Sequence, residues 1–128
     1  MRLLLDTHAL LWWLAGDEQM SPRAREAIGD PGAEVYVSAA SAWEIATKVR
    51  IGKLPGAASL VPGIAAVLAS QRFTGLPVAV DHAERAGSLA VDHRDPFDRV
   101  LVAQALSEDL TLVSNERLFD AFGVRRLW

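Results

Sequence analysis

The chain has 128 residues, 51% of them hydrophobic and 23% charged, with a formal net charge of -3 and no cysteine. That length supports one hydrophobic core, so residues 1–128 are expected to form a single domain. The missing cysteine excludes disulfides, thiolate metal sites and a cysteine nucleophile, and a pI of about 5.5 gives no overall electrostatic sign of a nucleic-acid binder. Any bound metal must therefore be held by oxygen or by the three histidines.

In chain order, short apolar runs and helical periodicities predict a strand over residues 2–5, helices over 9–15 and 22–29, and a strand over 34–38. Helices over 41–50 and 62–72, a strand over 76–80, helices over 82–91 and 97–108, and strands over 111–113 and 124–127 follow. The opening run Met1-Arg2-Leu3-Leu4-Leu5 is interrupted by Asp6 and His8 before it reaches the length of a signal peptide. No other window approaches a membrane span, so a cytoplasmic protein is expected. Ser21-Pro22 and Asp81-His82-Ala83-Glu84 read as helix starts, the second as a capping box. The glycine-, proline- and alanine-rich segment from Gly52 to Gly63 reads as a flexible connection. Strands alternating with helices imply an α/β fold: a parallel sheet covered on both faces and joined by right-handed crossovers.

In such a sheet, function gathers where strands end and the following helices begin. Asp6 directly follows the first strand, Glu44 lies in the first turn of the helix after the second, and Glu116 follows the fourth. Asp98 opens the helix that runs back before the fourth strand, so all four acids are expected at one rim. Each also has an ordinary explanation, because acids at helix N-termini satisfy free N–H groups and complement the helix dipole. Ser41-Ala42-Trp43-Glu44 reads as a capping box, and Asp95-Pro96-Phe97-Asp98 as a cap, a first-position proline and a third-position acid. Clustered carboxylates repel unless a cation neutralises them, and a hard oxygen donor set selects Mg²⁺ or Mn²⁺, one or two ions.

Four segments together resemble the PIN-domain ribonuclease family and, within it, the VapC toxins of toxin-antitoxin pairs. They are LLLDTHALLWWL at 3–14, VSAASAWEIATKVRIGKL at 37–54, HRDPFDRVLVAQAL at 93–106 and TLVSNERLFDAFGVRRLW at 111–128. The resemblance implies a three-layer α/β/α sandwich around a five-stranded, mainly parallel sheet of order 3-2-1-4-5. It also implies Asp6, Glu44 and Asp98 as catalytic and metal-binding acids, with Glu116 in a fourth position more often held by aspartate. Asp95 is the rival of Asp98, which aligns better through Arg99 and the Ala103-x-Ala105 pattern. The implied activity is metal-dependent hydrolysis of RNA by a toxin restrained by a small antitoxin.

Around these acids, Thr7, Ser114, Asn115 and Asp95 are expected to support the pocket. Lys48, Arg94, Arg99 and Arg117, with Arg50 and Lys53, are candidates for RNA phosphates, solvated surface charge being the simpler reading. As for the histidines, His8 and His93 are candidate ligands or proton shuttles, His93 also serving to order the loop before Asp95, and His82 is expected on an exposed helix face. Trp12 and Trp13 fit a homodimer contact and antitoxin groove, and Trp43 is a candidate for stacking on bases. A DNA nuclease or phosphatase built on the same acids, and a catalytically silent binding module, are the competing functions.

Overall fold

The computed structural model describes residues 1–128. Five strands, β1 (Arg2–Leu5), β2 (Glu34–Ser38), β3 (Thr74–Leu76), β4 (Thr111–Val113) and β5 (Arg126–Leu127), form one sheet of order β3-β2-β1-β4-β5. Every neighbouring pair is parallel. The helices are α1 (Thr7–Ala15), α2 (Pro22–Gly29), α3 (Ala39–Arg50), α4 (Ile64–Ser70), α5 (Val80–Ser88) and α6 (Pro96–Ser107). Two 3₁₀ turns, Pro55–Leu60 and Arg117–Phe122, complete the chain.

Alternation along β1 divides the core. Leu3 and Leu5 face a cluster built with Ala9 and Leu10 of α1, Ala24 and Ile28 of α2, Ile45 of α3 and Leu68 of α4. Leu4 faces the opposite cluster, with Leu101, Val102 and Ala105 of α6, Leu112 and Phe119. Both faces of the central strand are thus covered by helices, which is why Leu3-Leu4-Leu5 is a continuous apolar run and not an alternating one. No helix is long and apolar enough to cross a membrane.

The register sets the site. Leu5 lies level with Val37 on one side and Val113 on the other, so the three strands finish together at one edge. There Asp6 leaves β1 while its N–H still reaches Val113 O at 3.1 Å, and Ser114 leaves β4 with its N–H on Leu127 O at 3.2 Å. Asp6 then caps α1, and Gly16 ends that helix in the left-handed region at φ 62°.

Several local expectations shift. The third strand occupies Thr74–Leu76 and not 76–80, because Pro77 has no N–H to continue the ladder and the chain enters α5 at Val80. The last strand shrinks to Arg126–Leu127. Helix α3 begins two residues early, capped by Ser38 Oγ on Ala40 N at 3.0 Å, which leaves the Ser41 hydroxyl buried without a partner and Glu44 in the second turn. The capping box placed at Asp81 is likewise displaced: Ala79 is the N-cap of α5, and its N–H donates to His82 Nδ1 at 3.0 Å. His82 is accordingly buried, its Nε2 2.8 Å from Glu108 Oε1, and not on an exposed face. The 52–63 segment carries the first 3₁₀ turn and buries Ala57 in the core.

Arg99 corrects a second expectation. Its guanidinium donates to the carbonyls of Ala86, Leu89, Val91 and His93 at 2.7–3.0 Å, pinning the loop between α5 and α6. Four of its five N–H groups are spent inside the protein, so it is a structural clamp and not a free phosphate contact. Lysine cannot reproduce a planar fork. Arg99→Lys is therefore expected to lower the unfolding free energy by about 2–3 kcal/mol in urea melts, whereas an unchanged midpoint would show that the loop does not depend on the clamp.

Candidate acidic active site

A cleft of about 160 Å³ opens at the C-terminal edge of the sheet, lined by Asp6, Thr7, His8, Glu44, Lys48, Asp95, Asp98, Glu116 and Leu118. All four acids singled out in the sequence line it, together with the rival Asp95. The capping and pocket readings are both correct for two of these acids. Asp6 Oδ1 accepts from Ala9 N at 2.8 Å, and Asp95 Oδ1 accepts from Phe97 N and Asp98 N at the start of α6.

Each of the three central acids has a dedicated partner. Glu44, only 6% exposed, accepts the Thr7 hydroxyl on Oε1 and the Lys48 ammonium on Oε2, both at 2.5 Å. The second contact is an i,i+4 pair with the acid N-terminal, the favourable order on a helix. Asp98 Oδ2 lies 2.9 Å from His93 Nε2. Asp6 is 5% exposed, with the buried Ser114 hydroxyl beside it. Glu116 differs: it is exposed, its side chain makes no hydrogen bond, and only its backbone is held, the N–H by Ser114 Oγ at 3.0 Å and the carbonyl by Phe119 N at 3.2 Å.

The remaining candidates separate clearly. Thr7 and Ser114 touch the acids or their backbone, whereas Asn115 is exposed and lies outside the cleft lining. Lys48 lines the cleft but is turned onto Glu44; Arg94 and Arg117 are exposed and lie outside the lining. Arg50 is exposed as well, and Lys53 lines a separate, largely apolar groove with Leu11, Trp12 and Leu54. Trp12 packs between His8 and Trp128, Trp13 against Phe73, and Trp43 stands 66% exposed with an edge contact to Phe97. The contacts that sequence reasoning missed are Lys48 on Glu44 and His93 on Asp98. Four-residue spacing on a predicted helix was a usable signal for the first, while the second depends on how the 89–95 loop folds back.

The electrostatics record the strain of gathering these charges. Burial raises the Asp6 carboxyl from 3.8 to about 6, against the lowering pull of Ser114, the Ala9 N–H and His8, and the charge of Asp98 adds to the rise. Asp98 is raised too, mainly by burial, with His93 opposing and Asp95 and Glu44 adding. The Glu44 contact holds the Lys48 ammonium above its ordinary range.

The donor set of five carboxylates and no sulfur suits a hard divalent cation. As the side chains lie, no three acidic or histidine groups stand close enough together to hold an ion, and Glu44 and Asp98 are paired with Lys48 and His93. The chemistry of the donors fits such an ion.

Fold and site together define an α/β/α protein with an acidic cleft at the strand ends. The PIN domain family profile matches residues 3–124, and the chain belongs to that family. Among solved structures it is similar to VapBC2 of Rickettsia felis bound to a promoter DNA fragment, at 14% identity and a TM-score of 0.69, covering 99% of this chain and 98% of that one. It is also similar to VapC20 of Mycobacterium tuberculosis, a sarcin-ricin-loop-cleaving toxin, at 21% identity and a TM-score of 0.67, covering 95% of each chain. FitAcB of Neisseria gonorrhoeae matches at 20% identity and a TM-score of 0.62, over 98% and 96% of the two chains. At such identities the likeness is one of fold. A search of curated proteins gives no match.

The raised Asp6 carboxyl has a stability consequence whose sign is fixed. Between pH 3.8 and about 6 the folded protein keeps a proton that the unfolded chain has released, so stability falls as pH rises through that window. Asn at position 6 removes the buried charge and retains an oxygen for Ala9 N. In metal-free buffer Asp6→Asn is expected to match the parent near pH 4 and to exceed it by up to about 3 kcal/mol at pH 7, read from urea midpoints across the range. A stability difference that does not vary with pH would contradict this.

Proposed function

We propose that the protein is a Mg²⁺- or Mn²⁺-dependent endoribonuclease, the toxin of a toxin-antitoxin pair, acting in the cytoplasm as a homodimer until a cognate VapB-like antitoxin restrains it. The observation that carries the reading is the meeting of Asp6, Glu44, Asp98 and Glu116 in one cleft. Support for the partner comes from the similar folds found in VapBC and FitAB assemblies.

In this reading Asp6, Glu44 and Asp98 would hold one or two ions, and Glu116, longer and unrestrained, would complete the set from the solvent side. A bound divalent ion supplies a nucleophilic water at neutral pH and offsets charge on the phosphate. The chain's own residues do the positioning. Thr7 fixes one oxygen of Glu44, His93 holds Asp98, and the Ala9 N–H orients Asp6. Asp95 organises the first turn of α6 so that Asp98 faces the cleft. Arg94 and Arg117 are exposed cations with which an RNA backbone can pair.

A defined RNA pool incubated with Mn²⁺ or Mg²⁺ tests the reading, with end mapping of the products. Asp6→Asn and Asp98→Asn are expected to abolish cleavage while still melting cooperatively, and Glu116→Gln to lose about 10- to 100-fold, as for a group that acts through another ligand or water. Undiminished cleavage by either aspartate variant would overturn the assignment. Preferential cleavage of DNA or of a phosphomonoester would keep the metal site and replace the substrate; neither metal-induced stabilisation nor cleavage would leave a silent binding module.

A further inference from the structure

Lys48 is the only lysine or arginine lining the cleft, against five carboxylates. It belongs to α3, one turn after Glu44, and its Nζ meets Glu44 Oε2 while Thr7 occupies Oε1. Both oxygens of this buried acid therefore have internal partners. An exposed pair at this spacing stabilises little, but here the carboxylate is shut away from water and would be costly to leave unpaired.

A divalent ion that approaches Glu44 at Oε2 meets the ammonium already there, and the other oxygen carries the Thr7 hydroxyl. Two cations cannot share Oε2 comfortably, because they repel at close range. We propose that Lys48 is a resident counter-cation which Glu44 exchanges for the divalent ion, and that the displaced ammonium then pairs with a phosphate of the RNA in the same cleft. This exchange rests on the nuclease reading given above. It uses the contact the structure shows, in which Glu44 Oε2 is engaged by the Lys48 ammonium. It also gives a reason for lysine at this position: a compact charge on a flexible stem can change partners, whereas arginine would grip the carboxylate through a two-pronged fork. Asp95 and Asp98 line the same cleft and keep the ammonium near once it leaves Glu44.

The test uses the full chain stripped of metal. Mn²⁺ binding is measured by calorimetry for the parent, Lys48→Met, Lys48→Gln and Lys48→Arg, and single-turnover RNA cleavage is followed at saturating Mn²⁺. Removing the competing charge is expected to tighten Mn²⁺ binding roughly tenfold in the Met and Gln variants, while the cleavage rate falls by about the same factor and Lys48→Arg binds Mn²⁺ more weakly than the parent. Lys48→Gln keeps a neutral donor for Glu44 and serves if Lys48→Met does not fold. Unchanged or weaker Mn²⁺ binding by a cooperatively folded Gln variant, with the parent still cleaving RNA, overturns the exchange alone. Tighter binding with an undiminished cleavage rate overturns the phosphate role, and no Mn²⁺ binding by any of the four proteins overturns the exchange together with the nuclease reading.

Discussion

Five carboxylates share one small cleft with a single lysine, and every other feature of the active edge follows from making that tolerable. Negative groups held together in a partly dry site repel, and burial penalises each charge further. The chain answers with specific donors: a backbone N–H for Asp6, a hydroxyl and an ammonium for Glu44, an imidazole for Asp98. These partners lower the cost without removing it, since the Asp6 and Asp98 carboxyls stay above their ordinary values. Perturbed carboxyls gathered in a cleft are the electrostatic mark of a functional site.

The parallel sheet is what makes the concentration possible. All five strands point the same way, so their ends and the following helix starts gather at one edge, the chain returning each time through a crossover. Capping and site-building are therefore the same act for Asp6 and Asp95, whose bonds to helix N–H groups also fix where their carboxylates stand. An acid at a helix start is cheap to place because the dipole favours it. The fold can thus assemble a repulsive cluster from residues that are each locally stabilising.

How much of this the sequence disclosed depended on whether the signal was local. The runs RLLL, EVYVS and TLV gave strands with the expected bounds, because apolar residues between polar turns leave little freedom. The third strand was misplaced, since LPVAV has the composition of a strand while Pro77 denies it a ladder. The start of α3 was two residues out because Ser41 has the spacing of a cap to Glu44, while the structure caps the helix with Ser38, the last residue of β2. The edge shared by the acids was legible from strand order and spacing. What also escaped were partners supplied by the folded chain: His82 looked like a surface residue until the end of α6 brought Glu108 to it, and Arg99 looked like a surface cation until α5 and the following loop presented four carbonyls to it. Neither contact has a periodicity or spacing that a linear reading can detect.

The same distinction bears on how an acidic chain would meet a polyanion. Counting basic residues near the cleft from sequence overstates the charge available, because Arg99 is committed to carbonyls and Lys48 to Glu44. Arg94 and Arg117 stay exposed, but two arginines outside the cleft lining do not offset five carboxylates within it. In the proposed reaction Asp6, Glu44 and Asp98 would hold a divalent cation that would supply the missing positive charge. RNA binding and metal binding would then be coupled through charge balance, with the ammonium of Lys48 adding one further positive charge on the phosphate side only after Glu44 has found its other partner.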